Sequence, residues 1–203
     1  MDTDIEHAPS IVVVSGPNGA GKSTTAEALL KGTLAVEEFV NADVIARGLS
    51  GFAPEGSAVR AGRILLARIR ELAELRTSFA FETTLASKSF GSWLRGLRNT
   101  GYLVHILYLW LPSPDLAVLR VRRRVLAGGH DVPEETVRRR YARSLGNFLE
   151  LYRPLANSWH VYDNASSAGT RLIARGRAGL ADEVVDASLW REIQARGQAR
   201  HAP

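Results

Sequence analysis

Residues 16–23 read Gly16-Pro17-Asn18-Gly19-Ala20-Gly21-Lys22-Ser23, a complete G-x-x-x-x-G-K-S spacing. The segment follows an apolar run, Ile11-Val12-Val13-Val14, and opens a helical stretch from Ser23 to Leu30. This feature constrains the fold more than any other, because the spacing works only between a strand and a helix. The glycines let backbone N–H groups approach phosphate oxygens with no Cβ in the way. The helix N-terminus adds partial positive charge at the same point. Lys22 is placed to reach β- and γ-phosphates and the Ser23 hydroxyl to ligate Mg²⁺, with Thr24 next on the first helical turn. The blander reading is a glycine-rich turn that binds nothing. Lysine usage argues against it: only Lys22, Lys31 and Lys88 occur among 26 basic residues, and one of them falls at the motif position.

Composition narrows the remaining classes. The chain of 203 residues is long enough for one α/β domain with a full core. It has no cysteine, which excludes disulfides and thiolate metal sites and fits a reducing compartment. No apolar run reaches membrane-spanning length, and Met1 to Pro9 is too acidic and polar for a signal peptide, so a cytoplasmic protein without membrane contact is expected. Net charge is +5 with a pI near 10.0. Nucleic-acid binding is one reading of that charge. An arginine-rich chain with a phosphate site is the preferred one, since no basic–aromatic stacking pattern appears.

The chain alternates strands with helices and shows no internal repeat. Strands are expected at Ile11–Ser15, Glu38–Asn41, Ser78–Glu82, Tyr102–Leu111 and His160–Asp163. Helices are expected at Ala58–Leu75, Phe90–Arg98, Pro114–Ala127 and Pro133–Tyr152, with a further strand candidate at Arg171–Arg175 and a helix from about Ala187. Five alternating strands predict an α/β fold with a mainly parallel sheet, forming one domain over residues 1–203. A phosphate loop after the first strand puts the ligand at the carboxyl ends of the strands.

Those ends carry the remaining candidates. Asp43, after the second strand, reads either as a group that accepts or orients an attacking hydroxyl proton or as the N-cap of a helix starting near Val44. Glu82, with Thr83 and Thr84, ends the third strand. It reads as a water-mediated Mg²⁺ or acceptor contact, or as a solvated turn. Arg120, Arg122, Arg123 and Arg124 precede Gly128-Gly129-His130, and Arg138, Arg139, Arg140 and Arg143 follow it. Two arginine runs around a glycine hinge suit a lid over phosphates, spanning about residues 120–143. A solvated basic face is the alternative, and not all eight arginines can face a nucleotide. His130 suits a phosphate contact or a loop-positioning role equally. Asp163-Asn164 suits either an adenine or ribose neighbour or a simple turn.

The phosphate loop, Asn41-Ala42-Asp43, Phe81-Glu82-Thr83-Thr84, the Arg120–Arg124 segment, Gly128-Gly129-His130, Arg139-Arg140-Tyr141 and Asp163-Asn164 occur in this order. Together they resemble the zeta-toxin-like P-loop kinases, in particular their compact bacterial branch, over roughly residues 10–190. The resemblance implies a three-layer, nucleotide-kinase-like P-loop fold with an arginine-rich helical lid, and ATP and Mg²⁺ as its cofactors. It implies transfer of the γ-phosphoryl group to a hydroxyl, the 3′-hydroxyl of the amino sugar in UDP-N-acetylglucosamine for better-known members, and an antitoxin acting in trans. Carried over by match, Asp43 is the catalytic base, Lys22 and Ser23 contact phosphate and magnesium, and Glu82 contacts the acceptor. Arg120, Arg124, Arg139 or Arg140 clamp the phosphates. The chain is shorter than the larger toxins, which bears on the acceptor more than on the transfer. Two other readings stand beside this one: a kinase for a nucleoside, sugar or antibiotic, and an ATP-binding regulatory module without transfer. A transport-type ATPase is disfavoured, because neither a signature motif nor an apolar strand ending in Asp-Glu is present.

Overall fold

A computed structural model of the chain describes residues 8–29, 36–49, 57–166 and 169–198. In chain order it runs β1 (Ser10–Ser15), α1 (Lys22–Leu29), β2 (Glu38–Val40), α2 (Ala42–Leu49), α3 (Ala58–Glu74), β3 (Phe79–Thr83), α4 (Ser89–Asn99), β4 (Leu103–Trp110) and α5 (Pro114–Leu126). It continues with α6 (Glu134–Asn147), β5 (Ser158–Asp163), β6 (Arg171–Arg177), β7 (Glu183–Val184) and α7 (Ala187–Gln198). The strands form one sheet in the order β2-β3-β1-β4-β5-β6-β7. The first five are parallel neighbours, and β6 and β7 add on antiparallel.

β1 is why the sheet lies between two helical layers. Its side chains alternate between faces. Ile11 and Val13 enter the larger core with α3, α4 and α6, while Val12 and Val14 pack with Ala26, Ala80 and Leu107 on the other face. All four are at most 1% exposed, as expected of a parallel strand covered on both sides.

The expected sheet of five strands is therefore corrected to seven, although its mainly parallel character holds. The Arg171–Arg175 candidate is a real strand that runs on to Arg177, and β7 is new. Both residues of β7 are exposed, so it buries no apolar face that could have left a pattern. The helix expected from Pro133 to Tyr152 is also corrected. α6 stops at Asn147, and Phe148–Tyr152 follows as a π turn that drives Phe148 and Tyr152 into the core.

Gly16 fixes the exit of β1. Its φ is +136°, and a Cβ there would stand 2.3 Å from the Leu109 carbonyl oxygen on the adjacent β4. Gly16→Ala therefore has both a strained backbone and an overpacked neighbour. It is expected to lower unfolding free energy by about 2–6 kcal/mol, read as a fall in the urea midpoint. A midpoint shift equivalent to less than about 0.5 kcal/mol, the range of an ordinary surface change, would show that the β1–β4 contact relaxes freely.

Candidate active site

The loop after β1 curls over the start of α1. Gly19 and Gly21 hold φ of +78° and +77°, and added Cβ atoms would meet the Ala117 carbonyl oxygen and Asn164 Nδ2, each at 2.7 Å. These glycines are required by close packing as well as by access to a ligand. Lys22 is only 7% exposed. Its Nζ donates to the Pro17 carbonyl at 3.0 Å and lies 3.5 Å from Glu82 Oε1.

Glu82 stands at the end of β3, directly across from β1 in the parallel register Val14↔Glu82. Its Oε2 accepts from Ser23 Oγ at 2.7 Å and from Asn41 Nδ2 at 2.6 Å. The carboxylate thus gathers three partners, two from the start of α1 and one from the turn after β2.

Asp43 lies in the first turn of α2 and does not cap it. The cap is Asn41, whose Oδ1 accepts from the N–H groups of Asp43 at 2.8 Å and Val44 at 3.3 Å. The helix starts at Ala42, two residues before the expected start. The Asp43 carboxylate is left facing the site, 3.6 Å from Arg124 Nη1.

The arginine cluster divides. Arg124 reaches Asp43, and its Nη2 donates to the His130 carbonyl at 2.7 Å. Gly129 makes room for it, since a Cβ there would sit 2.5 Å from Arg124 Cγ. Arg140 is exposed on α6. Partial desolvation and then the Arg139 charge lower its pKa, while Asp43 opposes that shift. Arg120 serves a fastening role: its two terminal amines donate to the carbonyls of Asn164 at 2.6 Å and Ala165 at 2.7 Å. Asn164 Nδ2 in turn donates to the Ala20 carbonyl at 2.6 Å, so the end of β5 is tied to the phosphate loop. Arg122 and Arg138 pair with Glu134 on the outer surface. Asp163 makes a turn, its Oδ1 accepting from the Ala165 N–H at 2.9 Å.

Two cavities meet at these groups. One, of about 380 Å³, is lined by Gly19, Gly21, Ser23, Thr24, Arg120 and His130. The other, of about 570 Å³, is lined by Asn18, Thr83, Thr84, Arg139, Arg140 and Arg143 among others. Lys22, Asp43, Glu82 and Arg124 line both. Gly16, Pro17 and Ala20 line neither; they shape the loop from beneath. Sequence reasoning missed Arg63, on the wall of the second cavity, and Arg47, on that of the first. A lone arginine on a helix carries no signal that separates it from a solvated face. It also missed the role of Asn41, which helix-cap preference could have revealed.

The Thr83-Thr84 turn is held from behind. The hydroxyls of Thr83 and Thr84 accept from the N–H groups of Leu85 at 3.2 Å and Ala86 at 3.4 Å. Ser144 Oγ donates to the Thr84 carbonyl at 2.5 Å, and Asn147 Nδ2 to the Leu85 carbonyl at 2.7 Å. Tyr108 completes the chain, its hydroxyl 3.0 Å from Ser144 Oγ. Full burial pushes the Tyr108 phenol far up, so it stays protonated as the donor. α6 is therefore bolted to the turn whose residues line the second cavity.

A mainly parallel sheet with a G-x-x-x-x-G-K-S loop after β1 and an arginine-bearing helical pair beyond β4 defines a P-loop kinase-like protein. A family described as an AAA domain (AAA_33) matches residues 11–145, and the chain belongs to it. A Haemophilus influenzae protein, described as uncharacterized, is 28% identical over 126 residues, which is 62% of this chain and 88% of that protein. Among solved structures, the AvrRxo1-ORF1:AvrRxo1-ORF2 complex with sulphate ions aligns with a TM-score of 0.72 at 17% identity, covering 93% of this chain and 64% of that one. The same complex with ATP aligns equally well. The chain thus spans less than two thirds of the AvrRxo1 chain that it matches. The PezAT toxin-antitoxin structure from Streptococcus pneumoniae aligns with a TM-score of 0.58 at 15% identity, covering 95% of this chain and 85% of that one. These likenesses show the fold of the zeta-toxin-like P-loop kinases. Among the described residues no helix is long and apolar enough to cross a membrane.

Mg²⁺ accompanies ATP in this fold class. The residues present fit it. Ser23 Oγ and Glu82 Oε2 are hard oxygen donors 2.7 Å apart beside the phosphate cavity. No cluster of three or more His, Cys, Asp and Glu occurs among the described residues.

Proposed function

We propose that this protein is an ATP-dependent small-molecule kinase that transfers the γ-phosphoryl group of ATP to a hydroxyl. The observation that carries the reading is the junction of two cavities at Lys22, Asp43, Glu82 and Arg124. The cavity against the phosphate loop takes ATP, with residues 16–24 cradling its phosphates and Arg120 beside the loop. The other takes the acceptor, against Asp43, Glu82, Thr83 and Thr84. The acceptor oxygen attacks the γ-phosphorus, the bond from that phosphorus to the ADP oxygen breaks, and the hydroxyl proton passes to Asp43. Lys22 follows the charge onto the β–γ bridge, and Arg124, Arg139 and Arg140 stabilise the transferring group. Ser23 would hold Mg²⁺ with Glu82 beside it, and the ion would supply charge neutralisation to the phosphates.

A module that only binds ATP needs the loop, but not a carboxylate facing it across a second cavity. UDP-N-acetylglucosamine is the acceptor we favour, and a nucleoside, sugar or antibiotic hydroxyl is the alternative. We place the reaction in the cytoplasm, in a single domain whose lid spans about residues 120–143. An antitoxin in trans is a further expectation, supported by the PezAT toxin-antitoxin structure among the fold's neighbours. The test is incubation with ATP, Mg²⁺ and a metabolite panel led by UDP-N-acetylglucosamine, with products read by mass. A gain of one phosphoryl group identifies the acceptor, and no gain on any hydroxyl compound would remove the kinase reading.

The lid arginines give a sharper test. Arg124→Ala and Arg139→Ala are each expected to lower kcat by about 10²-fold, while stability moves by about 1 kcal/mol or less. Arg122→Ala is the control. Its side chain is 70% exposed and pairs with Glu134 on the outer surface, so turnover should stay at the wild-type rate. Equal turnover in all three variants would leave the whole cluster as a solvated face.

A further inference from the structure

Asn41 is 3% exposed, and both ends of its side-chain amide are hydrogen-bonded. Its Oδ1 accepts from two N–H groups in the first turn of α2, at 2.8 and 3.3 Å. Its Nδ2 donates to Glu82 Oε2 at 2.6 Å and to Ser23 Oγ at 3.2 Å. The two acceptors lie 2.7 Å apart on one side of the amide nitrogen, so a single N–H direction serves both. The opposite rotamer would set oxygen against the Glu82 carboxylate and N–H against N–H, so the network fixes the amide orientation. The backbone dictates the placement: β2 pairs with β3 in the register Val40↔Phe81, which brings the next residue on each strand, Asn41 and Glu82, side by side.

Ser23 lies in the first turn of α1, Glu82 is next to last in β3 and Asp43 lies in the first turn of α2. The Asn41 side chain bonds to all three of these elements. We infer that Asn41 is a positioning residue for phosphoryl transfer. Its amide nitrogen holds the Ser23 and Glu82 oxygens as an adjacent pair for the hydrated Mg²⁺ of the nucleotide. Its oxygen sets the helix that aims Asp43 at the junction of the cavities. The inference rests on the proposed kinase chemistry for its effect on turnover, but not for its effect on metal-dependent nucleotide binding. Partners that orient metal ligands are typically worth about 10–100-fold in metal affinity or activity when removed.

Asn41→Ser and Asn41→Asp separate the two halves of the side chain. Both retain an oxygen that can cap α2, and neither retains the amide donor. The experiment is calorimetric titration of each protein with ATP, with and without Mg²⁺, beside thermal melting and turnover. Asn41→Ser should melt within a few degrees of wild type and bind metal-free ATP within about threefold, whereas Asn41→Asp should melt lower, because two shielded carboxylates then meet. Asn41→Ser should lose most of the affinity that Mg²⁺ adds, need about 10-fold or more Mg²⁺ for half-maximal turnover, and lose about 10–100-fold in kcat. Asn41→Asp sets a carboxylate against Glu82 and should alter the Mg²⁺ dependence in the same assay. Wild-type Mg²⁺ dependence in both variants would overturn the inference and leave Asn41 a helix cap. So would a loss in Asn41→Ser that simply tracks a fall in melting temperature. If wild type binds Mg²⁺ with ATP yet phosphorylates no acceptor, the kinase reading fails, and the calorimetry alone still decides the role of Asn41.

Discussion

Lys22→Ala is expected to cut kcat/KM for ATP by about 10³-fold or more, a loss of about 4 kcal/mol of transition-state stabilisation. Lys22 carries the positive charge set deepest in the site: its side chain is 7% exposed, and its partner Glu82 is 12% exposed. A charge so shielded from water acts on phosphate through less solvent than an arginine on the lid. No neighbour can take its place, because Arg124 is committed to Asp43 and the His130 carbonyl, and Arg120 to two backbone carbonyls. Folding should survive the change. The Glu82 carboxylate keeps its hydrogen bonds from Asn41 and Ser23 when the ammonium is gone. Lys22→Arg should restore little, since a planar guanidinium cannot fold back onto the Pro17 carbonyl as a compact ammonium does. Turnover and ATP calorimetry on both variants are the measurements. Wild-type affinity and turnover in Lys22→Ala would remove the loop from the chemistry altogether.

The site was legible in the sequence where chemistry demands a fixed spacing. The loop from Gly16 to Ser23 and the apolar run before it stand where they were expected, while Asp43 falls inside α2 and Glu82 inside β3. The sheet was legible where strands are buried on both faces, as with Val104 to Leu111 in and just beyond β4. It was not legible at β7, which is short and exposed. The arginines show the same limit at the scale of side chains. Eight of them flank one glycine hinge, and nothing in their spacing separates Arg124, which turns inward to Asp43, from Arg122, which pairs with Glu134 outside. That division depends on how α5 packs on α6, a tertiary fact. Asn41 was overlooked for a different reason. The acid two residues later drew both the catalytic and the capping readings, and capping belongs to the amide. Ser144 and Asn147 lie more than 55 residues from the Thr84 and Leu85 carbonyls they hold, so only the folded chain reveals that support.

The division of labour between Asn41 and Asp43 makes Asp43→Asn a clean experiment. If Asp43 were the cap of α2, the change would be nearly silent, because asparagine caps as well as aspartate. The cap is Asn41. What Asp43 loses in the variant is its charge, in the first helical turn and 3.6 Å from Arg124. The helix-end interaction and the partly exposed ion pair are each worth about 1 kcal/mol or less, so the melting temperature should shift by only a few degrees. The amide fills nearly the same space and cannot accept a proton. A general base contributes about 10²–10⁴-fold to rate. kcat with the identified acceptor should therefore fall by that factor, while calorimetry still finds ATP bound near wild-type affinity. Retention of ATP binding separates this loss from that of Lys22→Ala, which weakens the nucleotide complex as well. Wild-type kcat in Asp43→Asn would reduce the carboxylate to a helix-end charge. The proton would then have to leave by way of Glu82, the other acid shared by the two cavities.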